Sequence, residues 1–236
     1  MRILLSLALF VAQPVLAASV TVSYSGQVGS LTYADCQNFV NGNCTSWNFS
    51  SIQTTNFLAG STIGVGQSFN GSFSYDSNAV MAPVSGDGFQ GVYLNAVASS
   101  GFRSSTLTLP SISLSSTGGG NVSVVNGRDG YDALLVQDYY SNSNFFVSMK
   151  TFQLDSTGTV FSSFSLPTNL GMSSFNHNSF GLGMLRRADG DQVQLVGTLT
   201  SIVIAPAVPE PTTALLVGAG LLLLAVRAAR KASMSS

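Results

Sequence analysis

Along most of this chain apolar and polar residues change places at every second position, the period of a strand with one face buried. Val20, Val22 and Tyr24 alternate with Thr21 and Ser23, and Val122 and Val124 flank Ser123. Phe69, Phe73 and Tyr75 fall on one side of another run, with Gly71 between them, where a bulge or a close backbone approach is expected. The longest run is Val193, Leu195, Gly197, Leu199, Ser201 and Val203. Turn formers separate the runs at Asp76-Ser77-Asn78, Ser85 to Gly88, Thr117 to Gly120, Asn126-Gly127, Asp155 to Gly158 and Asp189-Gly190-Asp191. Phe152 and Leu154 before the Asp155–Gly158 turn, with Val160, Phe161 and Phe164 after it, predict a β-hairpin. About a dozen short strands so spaced predict an all-β fold, an antiparallel β-sandwich of jelly-roll type over residues 18–207. A parallel β-helix is the other fold considered, and the lack of a fixed repeat length counts against it. Pro83, Pro110 and Pro167 suit edge positions.

Both ends depart from this pattern. Met1-Arg2 supplies a positive start, Ile3 to Val11 an apolar stretch, Pro14 a break and Val15-Leu16-Ala17 a small-residue cleavage sequence. Residues 1–17 therefore read as a signal peptide and its helix, cut after Ala17 or Ala18 by signal peptidase at the secretory translocon. At the other end Val208-Pro209-Glu210-Pro211 leads into an uncharged apolar run that ends at Val226, followed by Arg227, Arg230 and Lys231. An all-round apolar run satisfies its backbone best as a helix in lipid. The span 212–226 holds fifteen residues. At helical rise that is ~22 Å, short of the ~30 Å hydrocarbon layer unless Arg227 snorkels. Such a transmembrane helix suits transient anchorage. The basic cluster stays inside by the positive-inside rule, which puts the residues between the two ends outside the inner membrane.

The ordered tail resembles the PEP-CTERM sorting signal of Gram-negative bacteria, in which a Pro-Glu-Pro triplet, a short transmembrane helix and a basic cluster follow one another. Pro209, Glu210 and Pro211 match the triplet, and Arg227, Arg230 and Lys231 the cluster. The resemblance implies that an exosortase, a membrane-embedded cysteine peptidase, processes the chain near the triplet. It also implies release to the cell surface or extracellular matrix. The central region is similar to segments often found ahead of such tails, through Gly71-Ser72-Phe73-Ser74-Tyr75-Asp76, Phe152 to Thr159, Ser165-Leu166-Pro167 and Gly197-Thr198-Leu199-Thr200. That similarity implies a β fold and a surface role, and no activity.

Composition sharpens the picture once the ends are set aside. Residues 18–207 keep five basic side chains, Arg103, Arg128, Lys150, Arg186 and Arg187, against nine aspartates and no glutamate. A mildly acidic domain of this kind does not suit phosphate backbones, so nucleic acid is not an expected partner. Cys36 and Cys44 are the only cysteines, and an oxidising compartment favours their pairing over metal binding, for which no further Cys is available. Closing so short a ring contributes about 2.5 kcal/mol on the chain-entropy account.

Chemistry is sparse. His177 is the only histidine and no Gly-x-Ser-x-Gly elbow accompanies the many serines, so a nucleophilic hydrolase is not expected. Asp129 and Asp132 are the nearest-looking carboxylate couple for glycoside cleavage, but read first as a turn entering a strand. No organic cofactor is called for. Calcium is the one cation that loop oxygens suit, with Asp87, Asp189 and Asp191 as candidates that first read as turn formers. Tyr93, Tyr131, Tyr139, Tyr140 and Trp47 are candidates for stacking on sugar rings, and the Tyr139-Tyr140 pair must turn one ring outward. The expectation is a non-enzymatic structural protein of the surface or exopolysaccharide matrix. The alternative is a carbohydrate-binding or carbohydrate-cleaving module on the same fold.

Overall fold

The structure, a computed structural model, describes residues 19–205 apart from 59–60, 78, 80–81, 86–93, 98–101, 118, 127–130, 164–165 and 170, together with Gly220. The signal peptide 1–17, the triplet Pro209-Glu210-Pro211, the expected helix 212–226 apart from Gly220, and the basic residues Arg227, Arg230 and Lys231 lie outside the described residues, as do Asp87, Tyr93 and Asp129. Among the described residues no helix is long and apolar enough to cross a membrane.

Ser19–Ala207 is one compact all-β unit. Its first strands are β1 (Ser19–Cys36), β2 (Phe39–Val40), β3 (Asn43–Cys44), β4 (Trp47–Ile52), β5 (Thr54–Thr55), β6 (Ile63–Gly64), β7 (Ser68–Asp76) and β8 (Ala82–Ser85). There follow β9 (Leu94–Val97), β10 (Phe102–Leu109), β11 (Ile112–Thr117), β12 (Asn121–Val125), β13 (Asp132–Ser141) and β14 (Phe145–Asp155). A single 3-10 turn, Met172–Ser174, precedes β15 (His177–Arg186) and β16 (Gln192–Ala205).

The jelly roll predicted from strand spacing requires two stacked sheets, and the structure differs. One twelve-stranded antiparallel sheet runs β11-β10-β7-β1-β16-β15-β14-β13-β12-β9-β8, with β4 as a further partner of β1. The sheet curls until β11 lies against β13. Buried side chains therefore face one another across the inside of one curved sheet. Tyr24, Phe69, Phe73, Tyr75 and Phe180 fill that inside, with the Phe69 and Phe180 ring centroids 4.6 Å apart. Gly71 of β7 is what lets the Tyr24 side chain of β1 cross that strand and donate to the Thr106 carbonyl of β10 at 3.0 Å: a Cβ there would strike both.

Two irregularities in the β1–β16 ladder help so long a sheet bend. Ser25 pairs with Ser201 but Gly26 pairs with Leu199, so Thr200 is an extra residue in β16. Gly29 is the extra residue in β1, between Val28↔Gly197 and Ser30↔Val196. An unpaired residue of this kind reverses the faces beyond it. The alternation that buries Val193, Leu195 and Leu199 consequently breaks after Thr200. Val203 turns outward, while Ile202 and Ile204 pack on the core.

The hairpin predicted across Asp155–Gly158 does not form. β14 pairs with β13 on one side and β15 on the other, leaving no edge for residues 160–163 to join. The Asp155 carboxylate accepts the Thr157 and Thr159 backbone N–H groups at 3.0 and 2.9 Å and turns the chain away. The Phe161 N–H then donates to Asp132 at 2.6 Å, laying this segment over the strand ends. Pro83 lies in β8, the terminal strand of the sheet path, the kind of edge position to which a residue without an N–H is suited.

Candidate functional site

The outer face of β13–β16 carries the most site-like surface among the described residues. Inward positions on β15 are Phe180, Leu182 and Met184, so Gly181, Gly183 and Leu185 face out. Ladder register sets Lys150 opposite Gly181 and Gly181 opposite Val196. One row along, Tyr139 faces Ser148, Ser148 faces Gly183 and Gly183 faces Gln194. Two outward glycines on one strand lower the floor there, with the Lys150 stem lying along Gly181 and the Ser148 hydroxyl beside Gly183. The result is a trough of about 370 Å³ walled by Phe146, Ser148 and Lys150 on one side and Gln192, Gln194 and Val196 on the other. Phe146 stacks on Tyr139 at one end, with ring centroids 5.6 Å apart. Of the Tyr139-Tyr140 pair it is Tyr139 that turns outward, whereas Tyr140 packs against the core.

The electrostatics of this face are simple. The aspartates of these strands, Asp132, Asp138 and Asp155, are all buried. Lys150 is exposed and is the one cation among the described residues with neither an ion pair nor a hydrogen bond. Arg103 pairs with Asp76, Arg186 with Asp189 and Asp191, and Arg187 donates to the Asn142 carbonyl and the Ser141 hydroxyl. The trough thus offers one free ammonium, the Ser148 hydroxyl, two side-chain amides and an aromatic pair.

The sequence-level candidates lie elsewhere. Asp189 and Asp191 sit in the β15–β16 turn, where Gly190 takes φ 81. Both carboxylates are engaged by Arg186, at 2.7 Å to Asp189 and 2.6 Å to Asp191, and a guanidinium so placed opposes a cation. Asp191 also accepts the Tyr33 hydroxyl and the Cys36 N–H. Hydrogen bonding to Asp191 pushes the Tyr33 phenol up to about 12. Burial works upward on Asp189, but bonds from Arg186 and the Asp191 N–H outweigh it and hold its carboxyl below the usual range. Among the described residues no group of three or more His, Cys, Asp or Glu side chains is placed to hold a metal ion. These carboxylates tie the β15–β16 turn to the end of β1.

Cys36 and Cys44 form a disulfide that closes over the β2–β3 hairpin. Asn41 and Gly42 both take positive φ, 51° and 79°, as a two-residue type I′ turn requires. Phe39 in this loop packs on Gly190, so the disulfide hairpin and the Arg186 cluster share one corner.

Asp132 is 0 % exposed and cannot meet a solvent-borne sugar as one of a cleaving pair. His177 opens β15 with an exposed side chain that makes no hydrogen bond or ion pair among the described residues, so no triad forms around it. Trp47 and Tyr131 are half-buried. Asp155 accepts four N–H and O–H groups from Thr157 and Thr159, and these hold its carboxyl down at about 2. With its lone pairs so occupied it, too, is a turn-forming residue.

Sequence reasoning named Tyr139 but missed Gly181, Gly183, Lys150 and Gln194. The signal was present as Phe180-Gly181-Leu182-Gly183-Met184, an alternation whose outward positions are both glycine. No protein-family model and no curated protein matches the chain.

Proposed function

We propose that this protein is an exported, non-enzymatic component of the cell surface or extracellular matrix, delivered with a removable C-terminal sorting signal. The observation that carries the reading is the order of the tail: Pro209-Glu210-Pro211, an uncharged apolar stretch to Val226, then Arg227, Arg230 and Lys231. The N-terminal signal sequence supports it, because both ends then belong to one export route. The disulfide supports it as well, since Cys36–Cys44 persists most readily in an oxidising compartment. On this reading signal peptidase and the translocon act first, and the tail holds the chain in the inner membrane. An exosortase then cleaves near the triplet, and the β domain passes to the surface or an exopolysaccharide matrix. The β domain works as a rigid passenger, its core closed inside one curled sheet. Intact mass of the exported protein tests the proposal. The expected C-terminus lies near Pro211, and mature surface protein that still ends at Ser236 would sink it.

A carbohydrate-binding role for the passenger is the second reading, favoured by the outer-face trough described above. Cleavage is not part of it, since Asp132 is buried.

A further inference from the structure

We infer that the trough over Gly181 and Gly183 binds an acidic polysaccharide, seating a sugar carboxylate at the Lys150 ammonium and a pyranose face on the Tyr139–Phe146 ring pair. The juxtaposition of a lone cation, a low glycine floor and an aromatic pair carries this assignment.

The charge pattern selects the ligand class. The domain as a whole is acidic, with nine aspartates against five basic residues in 18–207. Yet Asp132, Asp138 and Asp155 are turned into the core, so no carboxylate of β13–β16 shares the outer face with Lys150. The two arginines at the end of β15, Arg186 and the Arg187 that follows it, are already engaged. A free ammonium on an acid-free face favours an anion, and a carboxylate makes charge-assisted bonds to it.

The shape selects a chain of sugars over a free carboxylate. Lys150 and Phe146 lie on the same face of β14, four residues and so about 13 Å apart along the strand. One pyranose ring does not span that distance; an oligomer does. The missing Cβ atoms at Gly181 and Gly183 keep the floor low: the Lys150 stem lies along Gly181 and the Ser148 hydroxyl beside Gly183, and a sugar chain would lie over these. Gln192 and Gln194, outward on β16, offer amide donors and acceptors to ring hydroxyls along the opposite wall. Aromatic rings pack on the C–H-rich face of a pyranose, and Tyr139 and Phe146 are half-exposed and already stacked. A single exposed ion pair contributes little, so each site is weak and a long polymer gains by presenting many carboxylates to many copies.

This inference rests on the surface reading only for where the ligand is met, and its test is independent of export. Full-length protein purified in detergent is titrated calorimetrically with a β-linked oligouronate hexamer and, separately, with a neutral hexaose of the same linkage. The expected result is binding on the order of millimolar for the uronate, weakening as salt is added, and much weaker binding of the neutral oligomer. Lys150→Gln should lower uronate affinity about fivefold, and Lys150→Arg should retain it. Gly183→Val, which fills the floor, should abolish binding by both routes. Equal affinity for the two hexamers, or a Lys150→Gln protein that binds as tightly as the parent, overturns the assignment. A mature protein with its tail intact would remove the export reading and leave this titration unchanged.

Discussion

Two corners of the β domain hold carboxylates in opposite ways. At the seam where the sheet curls onto itself, Asp138 of β13 is 2 % exposed. It accepts the Ser105 hydroxyl of β10, the Ser116 hydroxyl of β11 at 3.1 Å and the Tyr139 N–H at 2.7 Å. No basic side chain bonds it among the described residues. At the β15–β16 turn, Asp189 and Asp191 instead face Arg186, whose guanidinium also lies 5.1 Å over the Phe57 ring. The seam is buried and neutral in its donors; at the turn Asp191 is buried too, but Arg186 and Asp189 reach water and the pairing is ionic. Burial decides what each contributes. A carboxylate out of water depends wholly on its partners, whereas a solvated ion pair gains little over two hydrated ions.

Asp138→Ala breaks this comparison most directly. It strips the acceptor from two hydroxyls at the seam and should cost about 3 kcal/mol, read as a lower urea midpoint. A loss under about 1 kcal/mol would show that packing alone closes the curl. The turn corner should owe more to its covalent link than to its charges. Replacing Cys36 and Cys44 together by serine is expected to cost about 2.5 kcal/mol by the same measurement. Arg186→Met, which keeps the apolar stem against Phe57, should cost about 1 kcal/mol or less. If Arg186→Met proves the costlier change, the ion pairs dominate that corner and the contrast fails.

The smallest effect is confined to acid. Hydrogen bonds from Thr157 and Thr159 lower the Asp155 carboxyl from 3.8 to about 2. A folded-state value below the unfolded one means the ionised form favours folding. That contribution is fully present above about 4 and is lost as pH falls toward about 2. Asp155→Asn should flatten the pH dependence of stability across this window, with little change near neutrality. An unchanged acid slope in the variant would show that the threonine donors do not discriminate between the two forms.

The trough teaches a related lesson about what alternation reveals. Tyr139 and Tyr140 had to point to opposite faces, and adjacent residues of a strand leave no other choice. Which of them faced water depended on Asp138, because the seam fixes the odd or even set of β13 that turns inward. Gly181 and Gly183 became a floor only when β14 and β16 rose on either side of them. A glycine has no side chain to announce a site by itself.

Local pattern in the chain was enough to determine that these residues make strands. It also marked Gly71 as a close approach, which depends only on the missing Cβ of glycine. The tail likewise could be read from order and hydropathy alone, which is why the proposed export route rests on sequence. Tertiary structure decided the rest: that the strands join in one curled sheet, that β14 finds β15 across the intervening loop, and that Thr200 reverses the outward face of β16. The reason is the reach of the interactions. Alternation tells which residues share a face, but the partner of each strand is chosen by hydrogen bonds and burial between segments far apart in the chain, such as β1 and β16. A one-residue change of register there exchanges inside for outside.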